Sequence, residues 1–78
     1  MKKVTVYGPG CAKCRQAEEL VRRVATEMGA QVQVEKASDV QAMVKAGIMA
    51  TPAVAVDGVV KVSGRVPKEN EVKAWIAE

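Results

Sequence analysis

At 78 residues the chain has room for one domain, residues 1–78, and none for a second. Its net charge of +3 comes from scattered Lys and Arg, and its aromatics are Tyr7 and Trp75 alone, which excludes the basic stripe and stacking platform of a nucleic-acid binder. No apolar run approaches the roughly 20 residues of a membrane span. Val4-Thr5-Val6-Tyr7 after Lys2-Lys3 is too short for the apolar stretch of a signal peptide, so a cytoplasmic location is expected.

Residues 3–7, Lys-Val-Thr-Val-Tyr, are rich in β-branched and aromatic side chains and predict a buried strand, broken by Gly8-Pro9-Gly10. From Ala12 to Met28 the apolar residues Ala17, Leu20, Val21, Val24, Ala25 and Met28 recur at three and four, which predicts an amphipathic helix stopped by Gly29. Residues 31–35 alternate strictly, so Val32 and Val34 point inward from a strand at a sheet edge. Ser38 and Gln41 are spaced as a capping box for a second helix, with Val40, Met43 and Val44 as its buried stripe and Gly47 at its end.

Residues 53–56 and 59–62 predict two further strands. Asp57-Gly58 between them suits a two-residue type I′ hairpin, and Gly64 ends it. Pro67 suits the first turn of a last helix whose inward residues are Val72, Trp75 and Ile76. Trp75 belongs to the core on this reading, Met28, Met43 and Met49 fill gaps, and Tyr7 is a half-buried strand residue. The element order is β-α-β-α-β-β-α. Its first β-α-β unit should be parallel and right-handed and its closing hairpin antiparallel, giving a four-stranded mixed α/β sheet flanked by three helices.

Cys11-Ala12-Lys13-Cys14 is the one constellation with evident chemistry. In a reducing compartment two cysteines point to catalysis or metal binding before a structural staple. A helix N-terminus stabilises a thiolate, and the thiolate is what attacks a disulfide. Cys11 is expected to be the exposed attacker. Cys14, nearly one turn on, is the more buried thiol that resolves the mixed disulfide. Lys13 and Arg15 add positive charge that lowers the Cys11 pKa.

A strand, then Gly8-Pro9-Gly10-Cys11-Ala12-Lys13-Cys14 opening a helix, then Ala50-Thr51-Pro52 leading into a hairpin resembles the thioredoxin–glutaredoxin superfamily. The likeness spans nearly the whole chain and is strongest to the short, glutaredoxin-sized thioredoxins. It implies a thioredoxin-like fold, with Cys11 as nucleophile and Cys14 as resolving cysteine. It also implies that Pro52 is cis and faces the disulfide. The backbone before this proline pairs with substrate in the family, which gives Thr51 a contact role and places Gly10, Ala50 and Met49 on the same substrate surface. Met49 would form an apolar rim there.

The chain departs from the family pattern in three places. Ala12-Lys13 replaces the Gly-Pro or Pro-Tyr usual between the cysteines. The buried acid of thioredoxins has no counterpart, since Glu35 points outward and Asp57 sits in the hairpin. Ser63-Gly64 stands where many glutaredoxins have paired glycines, which favours a protein partner over glutathione. The expected activity is therefore reduction of protein disulfides by a monomer, with electrons from another thiol system and with no metal or prosthetic group beyond the Cys11–Cys14 pair. Two other readings are a Cu(I) carrier and a non-catalytic redox-switch or interaction module. Two thiolates suit Cu(I). Against the carrier, Pro9-Gly10 stands where such carriers place a Met, and the chain ends in a helix where they end in a strand.

Overall fold

A computed structural model describes residues 2–10 and 12–77. Seven elements follow in chain order: β1 (Lys2–Tyr7), α1 (Ala12–Glu27), β2 (Val32–Ala37), α2 (Val40–Lys45), β3 (Ala53–Val56), β4 (Val59–Ser63) and α3 (Glu69–Ala77). The strands form one sheet in the order β2-β1-β3-β4. β1 and β2 run parallel with Lys2 opposite Val32 and Tyr7 opposite Ala37. β3 runs antiparallel to β1, with Val4 opposite Val56 and Tyr7 opposite Ala53. The β3–β4 hairpin is antiparallel, and its register shifts between Val54, opposite Val62, and Ala55, opposite Val60. The predicted mixed α/β, thioredoxin-like fold is the observed one.

Side-chain parity explains the layers. Val4 and Val6 of β1, Val54 and Val56 of β3 and Val62 of β4 share one core with Ala17, Val21 and Val24 of α1 and Val72 and Ile76 of α3. The opposite parity puts Tyr7 and Ala53 into a smaller cluster with Met43 and Ile48, so α2 covers the other face. Interior β3 is buried at all four positions, since the main core covers one of its faces and the α2 cluster the other.

The turns are set by glycine. Gly29 has φ 63; its amide donates to the Thr26 carbonyl and that of Ala30 to the Ala25 carbonyl, the paired bonds of a Schellman cap. Gly47, φ 77, repeats the arrangement after α2, where the Ile48 amide reaches back to the Met43 carbonyl. Asp57 and Gly58 both have positive φ, 51 and 86, as a type I′ turn requires.

Four expectations are corrected. Asp39, not Ser38, caps α2, its carboxylate accepting the Gln41 amide at 2.9 Å. Carboxylate and hydroxyl are comparable caps, and the helix begins one residue later than the spacing implied. Val40 and Val44 are exposed, 67% and 70%, because a six-residue helix meets the sheet through Met43 and has no length for a full stripe. Pro67 precedes α3, which begins at Glu69; Glu71 reaches back to accept the Lys68 amide, half of a capping box. Of the methionines, Met43 fills the core, but Met28 is 40% exposed and Met49 99%. Trp75 is half-buried and packs against the core edge.

Candidate active site

The C-terminal end of β1 and the N-terminal end of β3 meet beside the first turn of α1. Tyr7 pairs with Ala53 at the end of the β1–β3 ladder, so Gly8 and Pro52 each adjoin that last pair in the chain. Gly8 is held on its other side by its amide, which donates to the Ala37 carbonyl of β2 at 2.9 Å. Strand register therefore brings the ends of β1, β2 and β3 together here, and the short connection after β1 sets α1 beside them.

Cys14 sits on the inward face of α1 and is 2% exposed. It is disulfide-bonded and so does not titrate as a thiol. Gly8 is in direct contact with it: a Cβ built on Gly8 would overlap the Cys14 Sγ and lie 2.8 Å from the Cys14 Cβ. Cys11, the expected attacker, lies outside the described residues. Lys13 and Arg15, expected to tune it, are exposed on the first turn of α1. That turn carries no acidic residue, so its positive end is unopposed. Gly10, the residue before Cys11, has φ 89. A Cβ there would stand 3.9 Å from the Lys36 Nζ, so a third cation, from β2, approaches the same turn.

The Thr51–Pro52 peptide bond is cis and Pro52 is fully buried. The residues before it become progressively more open: Thr51 is half-buried, Ala50 exposed and Met49 almost wholly exposed. The Pro52 carbonyl accepts the Gly64 amide at 2.9 Å, which ties this loop to the end of the hairpin. Gly64 has φ 83, and a Cβ on it would be 3.3 Å from the Ala50 Cβ.

The acids weighed as substitutes for the family's buried carboxylate are occupied elsewhere. Glu35 is 3.3 Å from the Lys3 ammonium. The Asp57 carboxylate accepts the Lys3 amide, and the Asp57 amide donates to the Lys3 carbonyl, which fastens the hairpin turn to the start of β1. Tyr7 packs against the α2 cluster in the half-buried position expected of it.

Three site residues escaped the sequence. Gly8 reads there as a strand breaker, Lys36 falls one residue past the alternating stretch 31–35, and Gly64 reads as a hairpin end. Each acquires its place from a neighbour that only the folded chain brings against it, so spacing alone carries no sign of it.

A family model described as a thioredoxin domain matches residues 2–77. A protein named thioredoxin from Methanothermobacter thermautotrophicus is 38% identical over 73 residues, covering 94% of this chain and 95% of the relative. A thioredoxin from Methanocaldococcus jannaschii is 33% identical, covering 90% of this chain and 80% of its own length. A probable thioredoxin from Methanothermobacter marburgensis is 34% identical, covering 92% and 89% respectively.

Proposed function

The chain belongs to the thioredoxin family, one of thiol–disulfide oxidoreductases, and on that premise we propose that it reduces protein disulfides with Cys11 as nucleophile and Cys14 as resolving thiol. The observation that carries this reading is Cys14 itself: disulfide-bonded, almost fully buried and in the first turn of a helix whose N-terminus follows a strand. We take its partner to be Cys11, the other of the two cysteines in the sequence.

The chemistry runs in two exchanges. The Cys11 thiolate, favoured by the unopposed end of α1 and by Lys13 and Arg15, attacks one sulfur of a substrate disulfide. A Cys11–substrate bond forms, the substrate S–S bond breaks, and one substrate sulfur leaves as thiolate and takes a proton. Cys14 then gives up its proton and attacks the Cys11 sulfur. The Cys11–Cys14 bond forms, the mixed disulfide breaks, and the second substrate thiol departs. Two electrons have passed to the substrate. A dithiol donor of another protein returns the pair to its reduced state, so no metal or prosthetic group takes part.

On this reading the substrate chain lies along Met49, Ala50 and Thr51, with Gly10 part of the same substrate surface. An open approach of this kind suits a polypeptide, and Met49 offers it an apolar contact. The decisive assay is reduction of insulin disulfides with dithiothreitol as electron source. The protein is expected to accelerate the reaction well above dithiothreitol alone, and Cys11→Ser to return it to that background. A wild-type protein with no acceleration, or full activity in Cys11→Ser, overturns the assignment.

A further inference from the structure

We infer that Gly8 is a positioning residue for the resolving cysteine: its missing side chain is the space in which the Cys14 sulfur sits. The inference rests on the two-cysteine mechanism proposed above for its catalytic meaning, and on geometry alone for its structural content.

Six glycines occur in the chain, and five of them have positive φ, where L side chains are rare. Gly8 is the exception. Its backbone lies outside the left-handed region, so an alanine would meet no conformational penalty there. The space decides the matter. The three heavy atoms nearest to a Gly8 Cβ all belong to Cys14: Sγ in overlap, Cβ at 2.8 Å and Cα at 4.0 Å. For Gly29, Gly47 and Gly58 the same construction meets nothing within 4 Å.

Neither partner is free to move aside. The Gly8 amide is bonded to Ala37, which fixes the strand end. Cys14 lies on α1, whose next inward residues, Ala17 and Val21, are wholly buried in the main core. A methyl group at position 8 must therefore displace the sulfur, because overpacking between two held backbones is relieved at the side chain. The displaced sulfur leaves the position from which it forms its disulfide. Two consequences follow for the exchange cycle: the closed disulfide loses stability relative to the dithiol, and attack of Cys14 on the mixed disulfide slows. The first attack, made by Cys11, does not involve Gly8.

The test is Gly8→Ala in the whole chain, alone and combined with Cys14→Ala or Cys14→Gly. Equilibration with dithiothreitol is expected to show the cysteine pair about tenfold easier to reduce, equivalent to about 30 mV for a two-electron couple. Alkylation of Cys11 by iodoacetamide is expected to stay within about twofold of wild type, which separates a moved Cys14 from general damage. In urea unfolding of the reduced proteins, the cost of Gly8→Ala is expected to fall in the Cys14→Ala background and vanish in Cys14→Gly, where the nearest atom left is the Cα. If Gly8→Ala alone does not fold, folding of the Gly8→Ala/Cys14→Gly protein supports the inference. An unchanged reduction equilibrium, or the same stability cost in all three backgrounds, overturns it, as does a failure to fold in both. The unfolding comparison reads out even if the protein reduces no protein disulfide, so failure of the proposed function and failure of this inference are distinguishable.

Discussion

The amide of Gly64 donates a 2.9 Å hydrogen bond to the carbonyl of Pro52, so the end of the β3–β4 hairpin holds the loop that carries Met49, Ala50 and Thr51. Gly64 meets two demands at once: its φ of 83 lies in the left-handed region, and a Cβ there would press on the Ala50 Cβ at 3.3 Å. Gly64→Ala is expected to cost about 1–2 kcal/mol from the backbone alone. For a domain of this size that lowers Tm by roughly 4 °C or more. Because Ala50 must shift, reduction of protein disulfides should slow more than reduction of a small aromatic disulfide. An unchanged Tm in thermal denaturation would refute the backbone argument.

Acid sensitivity should trace to Glu71. Both its oxygens accept from the Arg65 guanidinium, at 2.8 and 2.9 Å, and one also accepts the Lys68 amide. The Arg65 hydrogen bonds first, and the Lys68 amide second, lower its pKa from 4.5 to about 2. A carboxylate with a depressed folded-state pKa stabilises the fold above its unfolded value and loses that contribution as pH falls through the folded value. The stability difference between wild type and Glu71→Gln should therefore be constant above pH 4.5 and close between pH 4.5 and 2. The pair is open to solvent, so the difference should be small and shrink with salt. Melting curves at pH 7, 4.5 and 2 check this, and a gap at pH 2 as wide as at pH 7 would count against it.

Lys36 is a cation that strand alternation did not single out, yet its Nζ approaches Gly10, the residue before Cys11. Lys36→Met removes one positive charge from beside Gly10, the residue that precedes the proposed attacker Cys11 in the chain. Alkylation of reduced Cys11 at neutral pH is expected to slow about twofold at low ionic strength, the size of one solvent-screened charge. The effect should fade in 1 M salt. Equal rates for the two proteins at low salt would remove Lys36 from the site.

What could be read from the sequence was what local chemistry writes. Valine-rich β1 and β3, the Asp57-Gly58 turn and the three- and four-residue period ending at Gly29 each depend on a few neighbours, and each formed where expected. Cys14, in the first turn of α1, is buried as its place on the helix implied. The misreadings arose where a local pattern needed a partner surface. Val40 and Val44 have helical spacing, but α2 is too short to lay both against the sheet. Pro67 is compatible with a first turn, yet Glu71 capping the Lys68 amide starts α3 two residues later. Gly8 and Gly64 were legible as breaks in strands. Their reasons for being glycine lie in Cys14 and Ala50, six and fourteen positions away (14 − 8 and 64 − 50), and only folding reveals these.

Met49 is 99% exposed and adjoins the Ala50-Thr51 segment, so its side chain does nothing for the core. Met49→Ser should leave stability within about 0.5 kcal/mol, as for other surface changes. If the flexible thioether contacts substrate chains, the same change should raise KM for insulin reduction severalfold while leaving a small-molecule disulfide unaffected. Loss of activity on both substrates would place the effect in the chemistry, and no loss on either would leave Met49 without a role.

The asymmetry of the cysteines gives the sharpest test of the mechanism. Cys14 is 2% exposed and lies against Gly8, so an incoming protein disulfide cannot reach it in line. If Cys11 attacks first and Cys14 resolves, Cys14→Ser stops the cycle after the first exchange. The reduced variant, mixed with a protein disulfide, should accumulate a covalent complex visible on a non-reducing gel and released by dithiothreitol. Cys11→Ser should accumulate none, because the remaining thiol is buried and lacks the exposed helix end. Near-native circular dichroism in both variants is needed for the comparison, since a serine hydroxyl in an apolar seat costs about 1–3 kcal/mol if left unpaired. A complex trapped by Cys11→Ser and not by Cys14→Ser would reverse the two roles, and complexes of equal yield would dissolve the distinction between attacker and resolver.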